Sequence, residues 1–153
     1  MPLLLRRPAT AVSWRAGDWA LAIGTAVPPL LVANGSDMLA PAGLGVLLML
    51  AGMALQISAK LTLRRSFGII AANRGVKATG PYRFVRHPMY AGYLVTQVGF
   101  LLLNPTAWNA SVYAVALACQ VARLLAEERL LGRDPAYRAL MSAVRYRLVP
   151  GIF

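Results

Sequence analysis

Apolar and polar positions fall into long blocks, not into an alternating pattern. Four apolar stretches stand out, at about Trp19 to Ala33, Met38 to Ile57, Met89 to Leu103 and Thr106 to Ala126. Each is too long and too continuous for a half-buried strand, so the pattern predicts four helices. The second stretch can continue as helix towards Leu63. A helix needs roughly 17–25 apolar residues to cross a bilayer, so the first and third are short. The third gains a turn if Arg86-His87-Pro88 joins it. Pro28-Pro29 removes backbone donors from the first and predicts a kink, which membrane helices tolerate when neighbours compensate. Gly45, Met49 and Gly52 on the second helix, and Gly92, Thr96 and Gly99 on the third, lie one to two turns apart. Such faces let helices approach closely in lipid, within one chain or between two copies. The oligomeric state is left open.

Composition turns this helical chain into a membrane protein. It has 153 residues, 58% of them hydrophobic and only 14% charged. Soluble domains carry about a quarter charged residues, and the excess of Leu, Ala and Val needs lipid to cover it. The length suits a single domain over residues 1–153. The expected fold class is all-α: a polytopic bundle of about four transmembrane helices, with an amphipathic, Arg-rich surface helix in the tail from Tyr137 to Pro150. The N-terminal run Met1-Pro2-Leu3-Leu4-Leu5-Arg6-Arg7-Pro8 has its apolar residues before its charges, the reverse of a signal peptide.

Charge then orients the bundle. The net charge of +11 would suit a nucleic-acid partner, but its distribution does not, and none is expected. Arg6, Arg7 and Arg15 precede the first stretch. Lys60, Arg64, Arg65, Arg74, Lys77, Arg83 and Arg86 lie between the second and third. Arg123, Arg129, Arg133, Arg138, Arg145 and Arg147 lie at the end of the fourth or beyond it. Together these are all 16 basic residues. The other two connections, Asn34-Gly35-Ser36-Asp37 and Asn104-Pro105, carry none. The positive-inside rule places both termini in the cytoplasm, with the basic segments facing anionic membrane lipids. Cys119 is the one cysteine and His87 the one histidine, so neither a disulfide within the chain nor a conventional zinc or His-rich metal site is expected.

Two features could carry chemistry. The first is Thr79-Gly80-Pro81-Tyr82-Arg83-Phe84-Val85-Arg86-His87-Pro88-Met89-Tyr90-Ala91-Gly92. Gly80-Pro81 marks a turn where backbone can approach a ligand. Pro88 suits the first position of a helix, which sets Arg86 and His87 at an N-terminus that favours an anion. The plain alternative is an interfacial anchor, with Arg on lipid phosphate and Tyr in the aromatic belt. The second feature is Glu127-Glu128, two of only five acidic residues. They end the fourth stretch, on the unfavourable end of the helix dipole. Carboxylates near a membrane are a functional signal by default, for a cationic or hydroxyl-rich ligand. The alternative is an ion pair with Arg123 or with the second basic segment. No GxGxxG fingerprint in the right context, P-loop or nucleophile elbow is present.

In this order and spacing, Gly80-Pro81-Tyr82, Arg86-His87-Pro88-Met89-Tyr90-Ala91-Gly92, Glu127-Glu128 and Arg147-Leu148-Val149-Pro150 resemble the isoprenylcysteine carboxyl methyltransferase family and the related phospholipid N-methyltransferases. Arg64-Arg65-Ser66-Phe67-Gly68 resembles the segment before the family's turn. The likeness runs over about Leu63 to Pro150. It implies a membrane enzyme using S-adenosyl-L-methionine, with Thr79, Gly80, Pro81, Tyr82, Arg86, His87, Pro88, Tyr90, Glu127 and Glu128 around the cofactor. His87, Glu128 and Arg147 would be the catalytic candidates. The chemistry of the residues agrees. Arg86 and a helix N-terminus suit the methionine carboxylate, Glu127 or Glu128 suits the ammonium, and tyrosine faces suit a sulfonium. A carboxylate or thiolate acceptor needs no general base. An amine acceptor needs one, and His87 or Glu128 could serve, while Arg147 could orient an anionic acceptor.

The expected substrate is a lipid-like or small hydrophobic acceptor reached from the bilayer. Arg outnumbers Lys fourteen to two, which hints at a GC-rich bacterial genome, the inner membrane and a cytoplasm-facing site. Two other readings remain open at this point: an NADPH-dependent membrane reductase of the sterol-reductase type, and a non-enzymatic scaffold that binds lipid.

Overall fold

The computed structural model describes residues 11–12, 16–35, 37–63, 72–73 and 79–153. Five helices carry it: α1, Ala16–Ala26; α2, Ala42–Leu63; α3, Pro88–Leu103; α4, Ala107–Leu131; and α5, Pro135–Ala143. Among the described residues one strand pairing is present, antiparallel, between Ala11–Val12 (β1) and Ala72–Asn73 (β2). The predicted segments Met1 to Pro8 and Arg64 to Gly68 lie outside the described residues.

Helix boundaries follow local chemistry. α1 stops at Ala26, and Pro28–Leu30 forms a single 3₁₀ turn, so the Pro28-Pro29 pair ends the helix instead of kinking it. Proline lacks the amide that another turn of α-helix would require. α2 begins after Pro41 and does run on to Leu63. α3 begins at Pro88, with His87 as its N-cap residue. In α4, Thr106 caps the start, its Oγ1 accepting from the Asn109 amide at 3.0 Å. The helix then continues to Leu131, past Glu127 and Glu128. The two carboxylates therefore sit one turn inside its end.

α2 and α4 are long and apolar enough to cross a membrane, and α3 is a shorter apolar helix. At 1.5 Å per residue they are about 33, 37 and 24 Å long. Only 17% of the most apolar window of α2 is buried, which is not how a soluble core helix is placed. Its Leu44, Leu47, Leu50, Met53, Ile57 and Leu61 face outward. An apolar surface of this extent marks lipid contact.

α2 and α3 pack antiparallel with their small residues in contact. A Cβ on Gly52 would sit 2.6 Å from the Gly92 carbonyl oxygen and also against Thr96 Oγ1, while one on Gly99 would sit 2.7 Å from the Gly45 oxygen. The small-residue faces are thus used within the chain. Gly52→Ala is expected to push the pair apart and lower stability by about 1–3 kcal/mol, read as a lower melting temperature in detergent. Gly43→Ala, which meets nothing within 4 Å, is the control and should melt like the parent.

One end of the bundle is closed by Asn109, which is fully buried. Its Oδ1 accepts from the Ala33 amide, and its Nδ2 donates to the Ala33 and Asn104 carbonyls, all within 2.9 Å. The Gly35 amide donates to Asn104 Oδ1 at 2.9 Å. These bonds fasten the two connections that lack basic residues to each other. α3 starts, and α4 and α2 finish, at the opposite end.

Candidate active site

The site assembles at that opposite end from two helix termini and a returning tail. Arg86 and His87 arrive immediately before α3. Their amides donate to the Tyr146 and Arg147 carbonyls, both at 2.9 Å. This two-rung pairing holds the tail beside the start of α3, and with it the Arg147 side chain.

Glu128 is the hub, and it is 7% exposed. Its Oε2 accepts from Arg147 Nε at 2.8 Å. Its Oε1 lies 3.2 Å from His87 Nε2, a hydrogen bond in the tautomer with the proton on that nitrogen. Oε1 also lies 3.1 Å from Arg86 Nε. That Nε makes no directed hydrogen bond, so the Arg86 contact is an ion pair by proximity only. The carboxylate on the unfavourable end of α4 is thus offset by groups from α3's start and from the tail, all mutually buried except Arg147, whose side chain is 33% exposed.

Glu127 belongs to a neighbouring set. Its Oε1 accepts from the Tyr90 hydroxyl at 3.0 Å and pairs with Arg123 Nε at 3.5 Å. Arg123 reaches on to Thr25 Oγ1 of α1 at 3.2 Å. Both ion pairs that the sequence offered the acidic pair are present: Glu127 takes the predicted i,i+4 partner Arg123, and Glu128 meets Arg86 of the second basic segment. The rings of His87, Tyr90 and Tyr93 stand edge to face in series, with centroids 5.9 and 6.2 Å apart.

The Gly80–Arg83 segment is a 3₁₀ turn packed on α2. Gly80 has φ +59°, and a Cβ there would lie 2.8 Å from Thr62 Oγ1. The glycine is thus required by the turn and by α2. Tyr82 is buried, and burial together with the nearby Glu127 carboxylate pushes its phenol well above the ordinary range. Thr79 is the turn's N-cap residue but makes no side-chain capping bond. Of the residues singled out in the sequence, Arg86, His87, Tyr90, Glu127, Glu128 and Arg147 meet through their side chains. Pro88 contributes by starting α3. Tyr82 adjoins the set through Glu127, and Gly80 packs against α2.

Sequence reasoning passed over Tyr137, Arg123's bond to α1, and the 86–146 backbone pairing. Tyr137 had a signal. With Leu140 and Val144 it forms an i, i+3, i+7 face of large side chains, and all three are buried together.

A family model described as phospholipid methyltransferase matches residues 41–134, well over half the chain. The chain belongs to the phospholipid methyltransferase family. The matched span includes α2, α3, α4 and every site residue except Arg147 and the rest of the tail. Among curated proteins, Protein-S-isoprenylcysteine O-methyltransferase A of Arabidopsis thaliana is 36% identical over 90 residues, which is 54% of this chain and 43% of that relative. The chain thus matches less than half the length of this relative. Within the phospholipid methyltransferase family frame, the Arg-His-Pro start of α3 and the paired glutamates of α4 are the charged features that close on each other in space.

Proposed function

We propose that this chain is an S-adenosyl-L-methionine-dependent methyltransferase acting on a lipid-like or small hydrophobic acceptor at the cytoplasmic membrane face. The observation that carries the reading is the meeting of α3's start and α4's last turns, with His87 and Glu128 at 3.2 Å. The family membership supports methyl transfer, and the relative named for isoprenylcysteine O-methylation supports a lipid-borne carboxylate among the possible acceptors.

The residues fit such a methyl donor, which supplies an activated methyl group on a sulfonium and also carries a carboxylate and an ammonium. Arg86, Arg123 and Arg147 face Glu127 and Glu128, so with His87 neutral the cluster holds one surplus positive charge. A zwitterionic ligand can exchange partners with these internal pairs, its carboxylate on arginine and its ammonium on glutamate. The edge-to-face rings of Tyr90 and Tyr93 offer electron-rich faces for a sulfonium. The chief task of the protein is alignment, which can supply roughly 7–11 kcal/mol. Arg147, the most exposed of the site arginines, is suited to orient an anionic acceptor. His87 and Glu128 are the groups that would take a proton from an amine acceptor.

Four crossings follow from the same frame. α2 and α4 span, α3 crosses with its Arg-His start at the interface, and α1 with its 3₁₀ turn completes the set. Both termini then lie on the cytoplasmic side, with α5 along the surface. The acceptor would enter from the bilayer.

The test is ligand binding by the detergent-purified chain, read as thermal stabilisation. S-adenosylhomocysteine should raise the melting temperature and NADPH should not. Stabilisation by NADPH alone would favour a reductase, and by neither a scaffold.

A further inference from the structure

Among the described residues, two buried side-chain polar atoms lack a hydrogen-bond partner, Arg86 Nε and the Tyr137 hydroxyl. Both belong to one neighbourhood. Tyr137, 4% exposed, is buried with Leu140 and Val144 in a cluster that packs against Leu131, which lies one turn beyond Glu128 on α4. Its hydroxyl feels the charges of Glu128, Arg86, Glu127 and Arg147. Native proteins rarely leave buried polar groups unpaired, and an exception calls for an explanation. Arg86 Nε–H can only donate. The tyrosine hydroxyl stays protonated, because burial and the glutamate charges push its phenol up. The tyrosine hydroxyl lacks an acceptor, and Arg86 Nε–H, although 3.1 Å from its ion-pair partner Glu128 Oε1, makes no directed hydrogen bond to it. The surplus positive charge of the cluster makes an anionic acceptor the best match.

We infer that Tyr137 is a ligand-binding residue of this site, its hydroxyl donating, together with Arg86 Nε–H, to an anionic oxygen of a bound carboxylate or phosphate group. The inference rests on reading the cluster as a ligand site. It adds a residue from α5, a helix beyond the matched family span, and makes the short helix a wall of the site. Two sources could bring the oxygen: the methionine carboxylate of the methyl donor, or the head group of a lipid-borne acceptor.

Tyr137→Phe removes only the hydroxyl. In the ligand-free chain that hydroxyl is buried and unpaired, so its removal should leave the melting temperature unchanged or raise it. Ligand affinity should fall instead. Dissociation constants are measured on the full chain in detergent for S-adenosylhomocysteine, for its decarboxylated analogue, and for laurate and dodecyl phosphate. Loss of a hydrogen bond to a charged group predicts roughly tenfold or greater weakening. If S-adenosylhomocysteine weakens and its decarboxylated analogue does not, the oxygen is the methyl donor's. If only laurate or dodecyl phosphate weakens, it is the acceptor's. Unchanged affinity for all four would mean that the hydroxyl meets water or nothing, and would overturn the inference. So would a lower ligand-free melting temperature with every affinity reduced alike, the mark of a purely structural tyrosine. Failure of the parent chain to bind S-adenosylhomocysteine would instead count against the methyl-donor reading, and the laurate and dodecyl phosphate arms would still decide the role of Tyr137.

Discussion

Glu128→Gln is expected to cut S-adenosylhomocysteine affinity by at least a hundredfold and to lower the melting temperature by about 10 °C. The substitution keeps the shape of the side chain, so no cavity contributes. It removes the one charge on which Arg86, His87 and Arg147 converge at 2.8–3.2 Å. Removing one partner of a buried ion pair is worth about 3–5 kcal/mol, because the other charge stays buried and uncompensated. Arg147 is partly exposed and can turn to water, which puts the loss at the lower end. For a chain of this size each kcal/mol shifts the melting temperature by roughly 2–4 °C. Thermal unfolding and equilibrium binding in the same detergent provide both numbers. A glutamine variant that melts and binds like the parent would show that the hub carries no weight.

Arg86→Met separates the structural role of the hub from its ligand role. The single variant should lose both stability and binding, because Glu128 keeps His87 and Arg147 but loses its most buried cation. Combined with Glu128→Gln, it should recover most of the lost melting temperature, since replacing both members of a buried pair is often close to neutral. Binding should not recover, because the groups that hold the ligand are still missing. A double variant that regains S-adenosylhomocysteine affinity along with stability would mean that the cluster only holds the fold together. The double-mutant cycle on both readouts decides between these outcomes.

Much of the architecture is legible along the chain, for a physical reason. Long apolar blocks broken by charge can satisfy their backbone in lipid only as helices. Basic residues confined to alternate connections fix which ends share a side. The start of α3 could be placed from Pro88, and the packed face of α2 from Gly45, Met49 and Gly52. Ends governed by proline and by tertiary contact were harder to place. α1 stops before Pro28, and α4 runs past its glutamates, with Glu128 offset by Arg86, His87 and Arg147 and Glu127 by Arg123. What the sequence concealed lies in long-range pairing. Nothing in the periodicity links Arg86 to Tyr146, Asn109 to Ala33 or Tyr137 to Glu128. The meeting of Arg-His with Glu-Glu was suggested by resemblance to a family and by opposite charge. Its geometry, with Glu127 and Glu128 divided between two partner sets, required coordinates.

Ultraviolet cross-linking of methyl-labelled S-adenosyl-L-methionine, followed by peptide mapping, examines the shared site most directly. The expected label falls on peptides containing Tyr82 to Tyr93 or Glu127 to Arg147, and excess S-adenosylhomocysteine should suppress it. Label confined to peptides of α1 or the first half of α2, or label indifferent to that competitor, would contradict a methyl-donor site between the start of α3 and the end of α4.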